Sequence, residues 1–365
     1  MKNIHLIAAA RPNFMKIAPL YHALAVEPWC QVTIVHTGQH YDSNMSDAFF
    51  RDLRLPKPTF YLEVGSGSHA EQTGGVMIEY EKVLRSNRPD WIVVVGDVNS
   101  TAACAMVGAK AWIPVAHLEA GLRSRDRRMP EEINRLVTDS IADLLWTPSR
   151  DGDDNLLAEG IPAARIECIG NIMIDSYEML RSAIEADGTR RSLELNSGRY
   201  GVVTLHRPSN VDSAEALTPL VNELVQASSR VPLVFVVHPR TQRKLKEFGL
   251  DRTLGSSGRI KLVDPLGYIQ FMNLVTGASL VITDSGGVQE ETTYLGIPCL
   301  TLRENTERPI TVIEGSNRLV QPTQLLFEID RALGLSGRIG RRPELWDGHA
   351  ADRAVVSLKR HCEAA

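Results

Sequence analysis

Short apolar runs that alternate with amphipathic segments are the feature that most limits the fold of this chain. Residues 92–95 read Ile-Val-Val-Val, and the other runs are similarly rich in β-branched side chains. Continuous runs of this kind are typical of strands buried on both faces of a parallel sheet. Because parallel strands are joined by crossovers, usually helices, the alternation predicts an α/β protein.

The predicted strands fall into two series. They cover residues 5–10, 32–37, 91–95, 115–118, 144–147 and 166–169, then residues 202–205, 233–237, 261–263, 280–283 and 299–302. Two intervening segments have helical spacing, and their one-face apolar sets are Val76, Tyr80, Val83 and Leu84, and Ile133, Leu136, Val137 and Ile141. The alternation restarts after a polar stretch at residues 186–198. We therefore expect two doubly wound domains, residues 1–175 and 176–349, with a cleft between them. We also expect a helix near residues 350–365, and one alternative is that it packs on the first domain.

Charge and cysteine usage exclude several classes of protein. The 40 basic and 44 acidic side chains nearly cancel, and no basic stripe marks a nucleic-acid binder. No apolar run approaches the roughly 20 residues of a membrane span, and the N-terminus lacks the pattern of a signal peptide. The five cysteines show no CxxC spacing. We expect free thiols in a reducing cytoplasm and no zinc site.

Two strand ends carry groups that suit a phosphate. The first predicted strand leads into Arg11-Pro12 and Lys16 where a dinucleotide-binding protein has GxGxxG, so NAD is disfavoured. Two cations at a helix N-terminus attract anions, although a solvated Arg and Lys is the commoner outcome. The strand at residues 280–283 leads into Ser285-Gly286-Gly287, where glycines allow close approach and Ser285 can cap the next helix.

Further polar groups follow other strands. Glu290 and Glu291 can accept hydrogen bonds from ribose hydroxyls, and Arg308 can add positive charge. Two His/Arg pairs, His206-Arg207 and His238-Pro-Arg240, follow successive strands of the second series. A lone histidine is usually structural, but two such pairs at corresponding strand ends favour a site.

Three carboxylates in the first domain are candidates for proton transfer. Asp97 and Glu119 each follow a buried strand, and Glu131 lies in the first turn of a helix. Helix capping is the usual role of an Asp at such a position, and acids are favoured in first turns, so each is weak evidence alone. Together with basic groups of the other domain, they suit general acid/base chemistry on a phosphate-bearing sugar.

A set of motifs resembles one enzyme family. The segments are Arg11-Pro12 with Lys16-Ile-Ala-Pro-Leu20, Thr37-Gly-Gln-His40, Val95-Gly-Asp-Val-Asn-Ser-Thr101, His117-Leu-Glu-Ala-Gly-Leu-Arg123, Pro130-Glu-Glu-Ile-Asn-Arg135, Thr204-Leu-His-Arg207, His238-Pro-Arg240, Thr283-Asp-Ser-Gly-Gly-Val-Gln-Glu-Glu291 and Thr306-Glu-Arg-Pro309. In their residues and in their order along the chain, these segments resemble the motifs of the non-hydrolysing UDP-N-acetylglucosamine 2-epimerases over about residues 4–310.

The resemblance implies a fold and an activity. It implies a GT-B-like fold of two Rossmann-type domains, a homodimer in the cytoplasm, and a place in polysaccharide biosynthesis. The implied reaction interconverts UDP-N-acetylglucosamine and UDP-N-acetylmannosamine by anti elimination of UDP to 2-acetamidoglucal and re-addition. It implies an isomerase that needs neither a metal nor a redox cofactor.

The resemblance also assigns roles to residues. The catalytic set is Asp97, Glu119, Glu131 and His206. The UDP-binding set is Arg11, Lys16, Ser285, Gly286, Gly287, Glu291 and Arg308. Some bacterial relatives are activated by their own substrate, and the residues that loosely match that pocket are Gln39, His40, Arg207 and His238.

Departures from the family pattern leave alternatives for the substrate and the outcome. The chain has Ala9, Ala10 and Asn13 where many relatives have glycines and an acid, and Pro208-Ser-Asn210 follows the His206-Arg207 pair. Relatives with similar motifs act on UDP-2,3-diacetamido-glucuronic acid, and a hydrolysing epimerase would release N-acetylmannosamine and UDP. A sugar transferase or a non-catalytic sensor of the same fold would not need three carboxylates.

Overall fold

The computed structural model describes residues 1–9, 11–38, 52–334 and 339–364. These residues form two units, Met1–Met179 with Glu344–Ala365, and Leu180–Pro343. Each unit contains one sheet whose strands all pair in parallel. Among the helices described, none combines the length and the apolar character that a membrane span requires.

The first unit has a seven-stranded sheet with the order β3-β2-β1-β4-β5-β6-β7. Its strands are β1 (Lys2–Ala8), β2 (Cys30–His36), β3 (Phe60–Tyr61), β4 (Trp91–Val95), β5 (Val115–Leu118), β6 (Leu144–Thr147) and β7 (Ile166–Cys168). Its helices are α1 (Arg11–Ala25), α2 (His69–Ser86), α3 (Asn99–Lys110), α4 (Pro130–Ile141), α5 (Arg150–Ala158) and α6 (Ile172–Ala186), within which the division of the units falls. The order reverses between β1 and β4, which is the usual ligand-binding position of such sheets.

The second unit repeats this arrangement with six strands, in the order β10-β9-β8-β11-β12-β13. The strands are β8 (Gly201–Thr204), β9 (Leu233–Val236), β10 (Ile260–Val263), β11 (Leu280–Thr283), β12 (Cys299–Thr301) and β13 (Asn317–Leu319). The helices are α7 (Thr189–Ser192), α8 (Pro208–Val211), α9 (Ala214–Ala227), α10 (Pro239–Glu247), α11 (Asp251–Ser256), α12 (Tyr268–Thr276), α13 (Gly286–Leu295), α14 (Ile310–Ile313) and α15 (Leu325–Leu333). Both sheets therefore have the doubly wound topology expected from the sequence.

Burial explains which strands the sequence locates well. All five residues of β4 are at most 6% exposed, so a continuous apolar run marks the whole strand. The strands β4, β5, β6 and β11 have their predicted bounds. β1 begins earlier than predicted, at Lys2, because polar residues at its start still pair with β2. The sequence analysis missed β3 and β13, which have two and three residues and lie at sheet edges.

Helix α4 is amphipathic but buries its polar side. Its buried residues are Glu132, Arg135, Thr138 and Asp139. Of its predicted apolar face, Ile133 is exposed, and Leu136, Val137 and Ile141 are only partly buried. An apolar helix face normally packs into the core of its own unit. In this unit the buried side of α4 instead provides charged partners for turns at the carboxyl edge of the sheet.

The C-terminal helix α16 (Ala350–Ala364) belongs to the first unit. The buried indole of Trp146 donates to Ser357 Oγ over 2.9 Å. The carboxylate of Asp175 accepts the N–H groups of Ala350 and Ala351, at 3.1 and 2.7 Å, which lack partners inside the helix. Burial raises the pKa of Asp175 to about 6, against the effect of these two hydrogen bonds. The carboxylate thus caps α16 at neutral pH.

Asp175→Ala should loosen the C-terminal helix. It removes both capping hydrogen bonds, so we expect a loss of about 1–2 kcal/mol in the free energy of unfolding. Amide hydrogen exchange over residues 350–364 and the melting temperature measure the effect. Asp352→Ala, whose side chain is 68% exposed, is the matched control. Equal exchange in the two variants would contradict the capping role.

Candidate active site

The turn after β4 holds Asp97 in a constrained position. Gly96 has φ +69°, and a Cβ atom there would lie 3.2 Å from Lys16 Nζ. A side chain at position 96 would thus be strained as well as crowded. The carboxylate of Asp97 pairs with Arg135, and its carbonyl accepts Asn134 Nδ2 over 2.9 Å. The Asp97 side chain remains 31% exposed, so it can reach a ligand.

The turn after β5 carries a strained, buried carboxylate. Glu119 has φ +70°, a conformation that costs a non-glycine residue about 1–2 kcal/mol. Glu119 is 4% exposed, and its Oε2 pairs with Lys16 Nζ. Within the part of the chain that the structure describes, Oε1 is buried without a hydrogen-bond partner. A charge-bearing oxygen in that state is costly unless a ligand uses it.

The N-terminus of α1 contributes to the same edge of the sheet. Lys16 is 8% exposed, and Asn13 donates from Nδ2 to the carbonyl of Val95 over 3.0 Å. Arg11 begins the helix, but its side chain lies outside the described atoms. In the first unit, the structure thus brings together Lys16, Asp97 and Glu119 of the predicted site residues.

Two adjacent acids of α4 have different surroundings. Glu132 is buried and accepts Ser124 N–H over 2.9 Å and Arg125 N–H over 2.8 Å. Burial alone would raise the pKa of Glu132, but these bonds and the Arg135 charge outweigh it, so the pKa lies below its usual value. Glu131, the predicted proton-transfer residue, is only partly buried. Glu132 is therefore structural, and Glu131 is the acid with access to solvent.

In the second unit, Asp284 connects the turns after β8 and β11. It is fully buried and accepts the N–H groups of His206 and Arg207, at 3.0 and 2.9 Å, and Nδ2 of Asn210, at 3.0 Å. His206 Nδ1 lies 2.9 Å from Asp284 Oδ1. Burial would raise the pKa of Asp284, but its hydrogen bonds and the charge of His206 hold the pKa below the usual value. Sequence reasoning assigned no role to Asp284, although an acid directly after an apolar strand was a signal.

The N-terminus of α13 is shaped for close approach of a ligand. Ser285 is the N-cap residue, but its side chain makes no capping hydrogen bond, contrary to expectation. A Cβ atom at Gly286 would lie 2.8 Å from Arg308 Nη1, whereas at Gly287 it would meet no described atom within 4 Å. First-turn N–H groups beside open space form a general anion site.

Charged groups surround that helix end. Arg308 Nε lies 2.8 Å from Glu290 Oε1, and Arg308 Nη1 lies 2.6 Å from Glu307 Oε1. The Arg308 charge is thus largely balanced by protein carboxylates. Burial raises the pKa of Glu291 to about 8, since a hydrogen bond from Tyr268 opposes the shift only partly and Glu290 adds to it.

The residues predicted to form an activating pocket are only partly described. Gln39 and His40 lie outside the described residues. The rings of His206 and His238 are 5.5 Å apart between centroids. His238 Nδ1 accepts the N–H of Arg240 over 3.2 Å and so caps the N-terminus of α10. Arg207 Nη2 lies 3.9 Å from Glu307 Oε1.

Comparison with known proteins identifies the family. The sequence profile of the UDP-N-acetylglucosamine 2-epimerase family matches residues 22–359. The chain belongs to this family. Membership makes it an isomerase and confirms the resemblance seen in the motifs.

Individual epimerases are similar over nearly the whole chain. A UDP-N-acetylglucosamine 2-epimerase of Methanocaldococcus jannaschii is 44% identical over 326 residues, which cover 87% of this chain and 88% of that protein. The crystal structure of the M. jannaschii enzyme in complex with UDP-GlcNAc and UDP has a TM-score of 0.90 at 41% identity, covering 98% and 99% of the two chains. A UDP-2,3-diacetamido-2,3-dideoxy-D-glucuronate 2-epimerase of Pseudomonas aeruginosa is 40% identical over 354 residues, covering 96% and 97%. The structural match confirms the predicted GT-B-like α/β fold.

Asp284→Asn should destabilise the second unit of this epimerase. The amide nitrogen of the new side chain is a donor and would face the N–H donors of the turn. We therefore expect the free energy of unfolding to fall by about 2–3 kcal/mol at pH 7. Because the folded-state pKa is depressed, the stabilisation is complete above about pH 4 and is lost as the pH falls through the folded pKa. The difference in unfolding free energy between wild type and variant should therefore shrink below pH 4.

Chemical denaturation at pH 7 and near pH 3 measures that difference. Asp330→Asn, whose side chain is 52% exposed, is the control and should change stability little. A gap between wild type and Asp284→Asn that stays constant on acidification would contradict the assigned charge state.

Proposed function

We propose that this chain catalyses the reversible C2 epimerisation of UDP-N-acetylglucosamine to UDP-N-acetylmannosamine. The observation that carries the proposal is Glu119, a buried carboxylate in a strained backbone conformation with one oxygen unpartnered among the described residues. Strain and an orphaned charge-bearing atom are retained where a ligand uses them. The named substrate of the similar M. jannaschii enzyme supports the choice of nucleotide sugar.

The proposed reaction is a non-hydrolysing elimination and re-addition. The C2 proton of the sugar is not acidic, so a base removes it as the anomeric C1–O bond breaks. The C2–H electron pair forms the C1=C2 bond of 2-acetamidoglucal, and UDP leaves with the anomeric oxygen. A proton then reaches C2 from the opposite face while UDP re-adds at C1. Such a sequence needs an acid and a base on opposite faces and stabilisation of the leaving diphosphate.

The residues of the first unit fit the proton transfers. We assign Asp97, Glu119 and Glu131 to these steps, because two lie at strand ends beside Lys16 and Arg135, and the third is accessible in the first turn of α4. Lys16 and Arg11 are assigned to the diphosphate.

The residues of the second unit fit the nucleotide. We assign the β-phosphate region to the N-terminus of α13 at Ser285, Gly286 and Gly287, the ribose to Glu291, and the leaving group to His206. Arg308 is assigned to the phosphates through its position beside Gly286. Arg207 and His238, with Gln39 and His40, remain a prediction for an activating pocket.

We further propose a cytoplasmic homodimer that serves polysaccharide biosynthesis. The partly exposed apolar side of α4, with Ile133 37% exposed, and Ile78 of α2, 59% exposed, support a contact with a second copy. All five cysteines are free, which suits a reducing compartment.

The second candidate substrate is UDP-2,3-diacetamido-2,3-dideoxy-glucuronic acid. The P. aeruginosa relative named for that sugar is 40% identical and covers 96% of this chain. Both sugars would undergo the same C2 chemistry, so only the groups that contact the C3 and C6 substituents distinguish them.

Proton NMR in deuterium oxide tests the proposed reaction. Purified protein with UDP-N-acetylglucosamine should yield UDP-N-acetylmannosamine that carries deuterium at C2. Free N-acetylmannosamine and UDP would instead indicate a hydrolysing epimerase. An unchanged spectrum, together with turnover of the diacetamido-uronic acid nucleotide, would select the second candidate.

Glu119→Gln should abolish most of the exchange. Loss of a positioned acid/base group lowers kcat by about 100-fold or more, while binding of UDP should change little. Glu79→Gln on the surface of α2 is the control and should keep wild-type activity. Full activity of Glu119→Gln would refute the role of this carboxylate.

Binding of UDP should depend on the ionisation of Glu291. With a pKa of about 8, the ionised fraction of Glu291 rises about tenfold between pH 7 and pH 9. If the ionised form binds the ribose, UDP affinity should rise by a similar factor. Calorimetry of Glu291→Gln should show weaker UDP binding, with no rise in affinity between pH 7 and pH 9. The control Glu215→Gln, on the surface of α9, should show the same rise in affinity as the wild type. A pH-independent affinity in the wild type would contradict the assignment.

A further inference from the structure

His117 begins one of the motifs, but neither the resemblance nor the proposed reaction assigns it a role. Its ring is fully buried, with Nδ1 2.6 Å from Asp139 Oδ1 and Nε2 2.8 Å from the carbonyl oxygen of Gly96. A carbonyl oxygen only accepts hydrogen bonds, and an ionised carboxylate does the same. Donation from both ring nitrogens therefore fits these two contacts, and the ring joins Asp139 to the Gly96 carbonyl.

Asp139 extends this pair to the turn that contains Glu119. Its Oδ2 accepts the N–H of Gly121 over 3.1 Å and lies 2.7 Å from Arg123 Nη1. Burial alone would raise the pKa of Asp139, but the charges of His117 and Arg123 outweigh it and hold the pKa below its usual value. The ionised Asp139 thus fixes the backbone two residues after Glu119.

The other end of the His117 ring fixes the turn that contains Asp97. The carbonyl of Gly96 belongs to the peptide group that precedes Asp97, and the N–H of Gly96 donates to Leu118 O over 3.0 Å. One turn before Asp139, Arg135 of the same helix pairs with the carboxylate of Asp97 and lies 2.7 Å from Glu132 Oε2. The buried polar side of α4 therefore contacts both turns.

We propose that His117, held by Asp139, is a positioning residue that fixes the carboxylates of Asp97 and Glu119 relative to each other. This inference rests on the proposed function of the two carboxylates. His117 itself touches no substrate, and it acts through the Gly96 carbonyl and through Asp139. Proton transfer to opposite faces of one carbon depends on such placement, since a displacement of about 1 Å can cost about 100-fold in rate.

Two substitutions separate the two hydrogen bonds of the ring. In His117→Asn, the amide can replace Nδ1 as donor to Asp139 but is too short to reach the Gly96 carbonyl. In His117→Gln, the amide nitrogen can replace Nε2 as donor to Gly96. His5→Asn is the matched control, because His5 is also fully buried in the first unit, with ring nitrogens 3.1 Å from Tyr80 Oη and 2.9 Å from Asn87 Oδ1.

The expected result is a loss in kcat without a loss in binding. For His117→Asn we expect kcat to fall about 10- to 100-fold, with KM and UDP affinity within about twofold of wild type. A larger share of turnovers should end in released UDP and 2-acetamidoglucal, because misplaced carboxylates protonate the intermediate slowly. His117→Gln, which keeps the bond to Gly96 but loses the bond to Asp139, should regain part of the activity. His5→Asn should lower the melting temperature but keep kcat.

Four results would overturn the inference. His117→Asn could keep the kcat of His5→Asn, or lose UDP binding together with kcat, which would indicate a merely structural role. Nitrogen-15 NMR of histidine-labelled protein, with the His117 signals assigned by their loss in His117→Asn, could show only one protonated ring nitrogen. Absence of deuterium exchange by the wild type with either nucleotide sugar would reject the proposed function, and the positioning role with it. Normal wild-type exchange with a fully active His117→Asn rejects the positioning role alone.

Discussion

The structure depends on buried aspartates whose charge is satisfied by backbone N–H groups of turns. Asp139 binds the turn after β5, and Asp284 binds the turn after β8. A carboxylate taken out of water needs several donors, and backbone amides supply them only if the turn adopts one conformation. Each aspartate thus fixes a loop that would otherwise be free to vary. Each sheet places its own turn at the carboxyl edge of its strands, and the aspartate holds that turn in one conformation.

The same requirement explains the unusual orientation of α4. Its polar residues lie inward because they neutralise one another and the turns, through Arg135 with Asp97 and Glu132, and through Asp139 with His117 and Arg123. Its apolar residues then lie outward, where a second copy of the chain is the proposed partner. One side of α4 would thus hold the turns of the site, and the opposite side would contact another subunit.

Much of the fold could be predicted from the sequence, and so could many candidate site residues. Strands such as β4 and β11 are buried on both faces, so their apolar runs coincide with their bounds. Edge strands β3 and β13 have too few residues for any periodicity. The inward side of α4 was not predictable, because periodicity shows that a helix has two sides but not which side faces charged turns. The choice between Glu131 and Glu132 likewise depends on Ser124 and Arg125, which a motif does not relate to either acid.

The left-handed conformation of Glu119 places stability and activity in opposition in this fold. Glycine at that position would relieve the backbone, but it would also leave the buried ammonium group of Lys16 without its carboxylate partner. Variants selected only for heat resistance should therefore replace both residues, with glycine at 119 and an uncharged side chain at 16. A chain that keeps glutamate there is held away from its most stable sequence by its chemistry.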